Sequence, residues 1–134
     1  MVYAGNVVIL LFKMLMNMKN AIIVGATSGI GLEVARIMRS EGVNIGVAGR
    51  REDRLRKFAE EGGNVVWQRI DVTDENAGGL LVDLAERMGG VDTILLVSGI
   101  GSQNRDLDPG IEIATAETNV VGFTRMIDAA FNYL

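Results

Sequence analysis

Neither cysteine nor histidine occurs anywhere in the 134 residues. Their absence excludes disulfides, thiol nucleophiles, imidazole bases and most transition-metal sites. Carboxylates alone can hold a hard cation, but nothing in the sequence suggests such a site, and no metal is expected. Positive charge is not in excess: 13 Lys and Arg stand against 17 Asp and Glu, a net charge of -4. Outside a short stretch near Arg50 no basic cluster stands out, which argues against nucleic acid as a partner. The N-terminal apolar run Val7–Phe12 is broken by Lys13 after about six residues, against roughly 20 for a bilayer span. It has neither the preceding positive charge nor the small cleavage-site residues of a secretory signal. No membrane partner is expected, and the default location is the cytoplasm.

Apolar residues make up 49% of the chain, enough for one core of ordinary domain size. Residues 1–17 read as an N-terminal extension, with Met14, Met16 and Met18 as alternative starts. The alternative makes the extension a membrane-associating or partner-binding segment. Residues 18–134 read as one domain, without linker, repeat or low-complexity stretch.

Strand and helix patterns alternate from Lys19 onward. Ala21–Val24 is a short apolar strand. Gly29–Ser40 carries Ile30, Val34, Ile37 and Met38 at helical spacing and stops at Gly42. Val43–Ala48 is a second strand, and Arg51–Glu61 a charged helix with Leu55, Phe58 and Ala59 on one face. Val65–Ile70 makes a third strand. Asp74–Met88 follows as a helix with Leu80, Leu81, Leu84 and Met88 together. Asp92–Val97 is a fourth strand, and Pro109–Phe131 reads as one long helix. Such alternation implies right-handed crossovers and a parallel sheet, hence a doubly wound α/β fold.

That context gives meaning to IIVGATSGIGLEVA, Ile22–Ala35. Gly25, Gly29 and Gly31 lie between the first strand and the first helix, where backbone N–H groups and the positive helix end favour phosphate. The spacing G-x-x-x-G-x-G matches neither the P-loop nor G-x-G-x-x-G. Taken alone, three glycines could mark a tight turn; the surrounding strands and helix favour a phosphate loop. At the end of the second strand, Gly49, Arg50 and Arg51 offer no carboxylate to a ribose 2′-hydroxyl, whereas Arg50 presents a charged fork suited to a 2′-phosphate. The bland alternative is a solvated charge pair opening the next helix. NADP is therefore expected over NAD, with Ser28 adding a hydroxyl to the same phosphate region.

VGATSGIG, Val24–Gly31, resembles the cofactor loop of the short-chain dehydrogenases/reductases, with Val24 where that family usually has Thr. The resemblance runs from about Lys19 to the C-terminus. It implies a Rossmann-type sheet of four strands in the order 3-2-1-4, and cofactor contacts from Gly25, Thr27, Ser28, Gly29, Ile30, Gly31, Arg50 and Arg51. In IDVTD, Ile70–Asp74, it implies that Asp71 touches the adenine amino group and Val72 presents backbone, although an Asp at a strand end is also an ordinary turn residue. In LVSGIG, Leu96–Gly101, Ser98 and Gly99 align with the family's Ala-Gly. Leu96 and Val97 replace its two asparagines, so their side-chain stitching of this loop is lost. Asn119, in ETNVVGFTRM, falls where the family keeps an Asn that disturbs the long helix and positions a water for proton relay. The alternative for Asn119 is a solvated surface residue.

The family chemistry moves hydride between nicotinamide and a carbonyl or alcohol carbon, using Tyr as acid or base, Lys four residues later and a Ser. This chain has no Tyr-x-x-x-Lys: its tyrosines are Tyr3 and Tyr133. It resembles the N-terminal half of a family member. Three readings stand: part of an NADP-dependent oxidoreductase, a non-catalytic NADP(H)-binding module, or an interaction subunit completed by another chain. The isolated chain is expected to be inactive. It is also expected to form a homo-oligomer, through the fourth-strand edge and a surface of Phe123, Met126, Ile127 and Phe131.

Overall fold

The computed structural model describes residues 17–134; the run Val7–Phe12, and with it nearly all of the 1–17 extension, lies outside the described residues. Four strands form one parallel sheet: β1 (Asn20–Val24), β2 (Asn44–Gly49), β3 (Val65–Arg69) and β4 (Thr93–Leu96). Their order is β3-β2-β1-β4, so the chain winds outward from β1 to one side and then returns to the other. The crossovers are α1 (Gly29–Ser40), α2 (Glu52–Glu60) and α3 (Ala77–Arg87). This is the expected doubly wound α/β arrangement, with ends shifted by one to three residues.

The period-two geometry of a strand explains how one short run feeds two cores. In β1, Ile22 and Val24 join Leu81, Leu84, Ala85, Met126 and Ala130 on one face. Ala21 and Ile23 join Ala35, Met38, Leu55 and Phe58 on the other. Both faces are covered, so β1 is apolar almost throughout, as a central parallel strand must be. A row of carboxamides crosses the opposite, N-terminal end of the sheet. Asn44 donates to Asn20 at 2.9 Å and Asn64 donates to Asn44 at 2.8 Å, joining the starts of three strands.

Three expectations change. The first helix does not bury Ile30 and Ile37, which are 77% and 51% exposed; its buried stripe is Gly31, Ala35 and Met38. Gly31 faces inward where the helix meets the Gly25 carbonyl, and Ala35 and Met38 continue that face against Ala21, Ile23 and Leu55. The long C-terminal helix is continuous in path but not in winding. It begins as α4 (Pro109–Ala116), opens into a π-helical segment over Glu117–Gly122 and tightens again as α5 (Phe123–Tyr133). Met126, expected on the exposed surface, is fully buried in the core, whereas Phe123, Ile127 and Phe131 stay exposed.

Candidate functional site

The carboxyl ends of β1, β2 and β4 open into a cavity of about 270 Å³, at the point where the strand order reverses. The loop between β1 and α1 forms its floor. Gly25 N–H and Ala26 N–H both donate to the Ala48 carbonyl, at 2.8 and 3.1 Å, which ties the loop to the end of β2. Gly25 has φ +96°, and a Cβ there would lie 2.6 Å from the Ser98 nitrogen. A Cβ on Gly31 would collide with the Gly25 carbonyl oxygen and stand 2.8 Å from Val97 Cγ2. These two glycines let the loop, the helix and the β4 end approach within backbone contact.

The amino end of α1 faces the cavity through Ser28, Gly29, Ile30 and Gly31, with no acidic residue in the first turn. Its leading N–H groups have no intrahelical acceptors, and the helix dipole adds partial positive charge. Thr27 is buried, and two arginines reach it, Arg51 at the side chain and Arg54 at the carbonyl. Arg51 Nε and Nη2 donate to Thr27 Oγ1 at 3.2 and 3.1 Å, and Arg51 Nη2 also donates to Ser28 Oγ at 2.8 Å. Arg54 Nη1 donates to the Thr27 carbonyl at 3.3 Å. Arg50 lines the cavity and is exposed.

Of the residues singled out in the sequence, Gly25, Thr27, Ser28, Gly29, Ile30, Gly31, Arg50, Arg51, Val72, Ser98 and Gly99 all line this cavity. Asp71 and Asn119 do not. Asp71 closes a turn instead: its Oδ1 accepts from the Thr73 N–H at 3.0 Å and the Thr73 hydroxyl at 2.7 Å. Burial pushes the Asp71 carboxyl up, but those two bonds and the charges of Arg50 and Arg69 outweigh it and leave its pKa below the ordinary value. Val72 lines the cavity, and its carbonyl accepts from Arg125. Asn119 lies in the π-helical segment, and its carboxamide holds the backbone of Ile100.

Val24, Gly49, Ile70, Val97, Ile100 and Thr118 also line the cavity and were missed. Ile70 and Val97 follow directly on β3 and β4, so their place at a carboxyl end was legible in principle. Thr118 arrives from a distant helix, and no local pattern marks it. Among the described residues no three carboxylates gather as a metal site, and no helix is long and apolar enough to cross a membrane.

Comparison with known proteins agrees with this geometry. Residues 19–134 match the family model described as short chain dehydrogenase, and the chain belongs to that family. An uncharacterised oxidoreductase of Mycobacterium tuberculosis is 31% identical over 121 residues, covering 83% of this chain and 47% of the relative. The cis-4-hydroxycyclohexanecarboxylate dehydrogenase of Sinomonas cyclohexanicum is 33% identical over 112 residues, covering 81% and 42%. Among solved structures, an actinorhodin polyketide ketoreductase variant with NADPH superposes with TM-score 0.73 at 31% identity, covering 83% of this chain and 45% of that one. An alcohol dehydrogenase from the archaeon Thermococcus sibiricus, complexed with 5-hydroxy-NADP, gives 0.79 at 29% identity, covering 87% and 53%. The chain thus spans under half the length of these curated relatives.

Proposed function

We propose that this chain binds NADP(H) in the cavity at the β1, β2 and β4 ends, as the cofactor-binding part of an oxidoreductase. The reaction of the whole enzyme is hydride transfer between that cofactor and a small carbonyl or alcohol substrate. One observation carries the choice of NADP over NAD: the wall at the end of β2 presents Arg50 and Arg51 and no carboxylate. A guanidinium suits a ribose 2′-phosphate, whereas an acidic residue at this place suits the free hydroxyl. The solved relatives named with NADPH and with 5-hydroxy-NADP support the same reading.

Within it, Gly25, Gly29 and Gly31 let backbone approach the pyrophosphate, and the α1 amino end supplies N–H donors at Ile30 and Gly31. Arg50 faces the 2′-phosphate. Thr27, Ser28 and Arg51 order the loop beside it. Val72 bounds the adenine pocket, Asp71 shapes its turn, and Ser98 and Gly99 form the wall beneath the nicotinamide side. Asn119 serves as a positioning residue for that wall. The bound nicotinamide supplies or accepts the hydride. The 134 residues contain no Tyr-x-x-x-Lys, so proton transfer to substrate oxygen falls outside what these side chains do.

Calorimetry with NADPH and NADH tests the assignment. NADPH binds more tightly, by roughly ten- to a hundredfold for one charge-assisted phosphate contact. Arg50→Asp erases or reverses the difference. Equal affinities in the unsubstituted chain would refute NADP preference.

A further inference from the structure

Ser28 occupies the N-cap position of α1 with extended backbone, φ -163° and ψ 169°, yet its side chain makes no capping hydrogen bond. A serine so placed ordinarily turns its hydroxyl onto the N–H of the second or third helical residue, here Ile30 or Gly31. The hydroxyl is engaged elsewhere: Ser28 Oγ accepts from Arg51 Nη2 at 2.8 Å. The same guanidinium is held in place by its two bonds to Thr27 Oγ1. Thr27 is itself fixed, by Arg54 on its carbonyl and by a methyl seated where Gly49 has no Cβ, 2.8 Å from the position a Cβ would take.

Arg51 is badly placed for its own helix. It is the N-cap residue of α2, whose first turn holds Glu52 and Asp53, and it reaches across to the amino end of α1, whose first turn holds no acid. A cation between two positive helix ends gains nothing from either dipole. Its position is accounted for by the hydroxyls it holds.

We propose that Arg51 is a positioning residue that keeps the Ser28 hydroxyl off the amino end of α1, leaving the Ile30 and Gly31 N–H groups free for a dinucleotide pyrophosphate. This rests on the reading of the loop as a phosphate site, and it separates the two arginines. Arg50 discriminates the 2′-phosphate. Arg51 keeps the helix end uncapped, which serves any dinucleotide alike.

Four forms of the full 134-residue chain decide it: unsubstituted, Arg51→Met, Ser28→Ala and the double variant. Each is titrated with NADPH and NADH by calorimetry, and amide exchange at Ile30 and Gly31 is followed by NMR without cofactor. In Arg51→Met the released hydroxyl caps the helix. Both cofactors then bind more weakly by a common factor, about fivefold, the strength of an ordinary cap. The two amides exchange more slowly. In the double variant no hydroxyl competes, so exchange returns to the original rate and affinity returns to that of Ser28→Ala alone, which carries whatever the lost hydroxyl itself contributes to binding.

A loss confined to NADPH would make Arg51 a direct phosphate ligand and overturn the inference. So would a loss in both cofactors that Ser28→Ala does not relieve, or unaltered amide exchange in Arg51→Met. If the unsubstituted chain binds neither cofactor, the NADP reading falls. The exchange rates still show by themselves whether Arg51 restrains Ser28.

Discussion

Asn119 and Ile100, 19 residues apart, are joined by both halves of one carboxamide: Asn119 Oδ1 accepts from the Ile100 N–H at 2.9 Å, and Nδ2 donates to the Ile100 carbonyl at 2.7 Å. Gly99 lies under the same group, since a Cβ there would be 3.3 Å from Oδ1. At the end of β4 and the start of the loop after it, Leu96 and Val97 stand where the resemblance would put two stitching asparagines, and Asn119 supplies a tie from outside the loop. Asn119→Ala therefore loosens the cavity wall. Two exposed hydrogen bonds are worth about 1–2 kcal/mol together, so the thermal midpoint falls modestly. Amide exchange at Ile100 rises well beyond the global change. An unaltered Ile100 rate would remove the positioning role.

Gly31→Ala places a methyl against the Gly25 carbonyl oxygen, which is backbone and cannot rotate away. Overpacking of this kind costs about 1–3 kcal/mol, and calorimetry should find dinucleotide binding lost with it. Gly79, inside α3 with nothing within 4 Å of its absent Cβ, is the control. Gly79→Ala should raise stability by roughly 0.5–1 kcal/mol through helix propensity. Equal effects at the two sites would contradict the packing at Gly31.

Acid sensitivity is expected at the other end of the sheet. Asp92 Oδ2 accepts from the Lys19 and Asn20 N–H groups at 3.0 and 3.1 Å, which pins β4 to the start of β1. Burial pushes its carboxyl up, but those bonds, the Thr93 hydroxyl and the Lys19 charge hold its pKa below the ordinary value. A carboxylate with a lowered folded pKa stabilises fully above its unfolded value, about 3.9, and loses that contribution as pH falls through the folded value. Urea midpoints should therefore drop as pH falls below about 5. The drop should be shallower in Asp92→Asn, and parallel curves would contradict the assignment.

The isolated chain should show no NADPH oxidation over a panel of ketones and aldehydes, because no Tyr-x-x-x-Lys is present to trade the proton. It should also associate. Ile127 and Phe131 are 43% and 83% exposed along α5, and among the described residues β4 pairs with a strand on only one side. Unpaired edges and apolar surface recruit partners. Light scattering at micromolar concentration should give a dimer or larger species, and a monodisperse monomer would contradict this.

The features legible from the chain alone are local. Alternation of apolar residues set strand and helix, Gly42, Gly62 and Gly89 ended helices, and G-x-x-x-G-x-G before a helical pattern marked the cavity floor. The relevant neighbours lie within a few positions, so periodicity and turn chemistry suffice. Tertiary structure decided which of two apolar stripes on α1 faces the sheet. Ile30 and Ile37 have the larger apolar side chains, but at the loop only Gly31 fits against the Gly25 carbonyl, and Ala35 and Met38 share its face in the core. It also decided the partners of polar side chains. Ser28 reaches Arg51 23 residues away, Thr27 reaches Arg54 27 residues away, and Asn119 reaches Ile100. A hydrogen bond needs its donor and acceptor within about 3 Å, and at such sequence separations only the packed sheet and helices bring them that close.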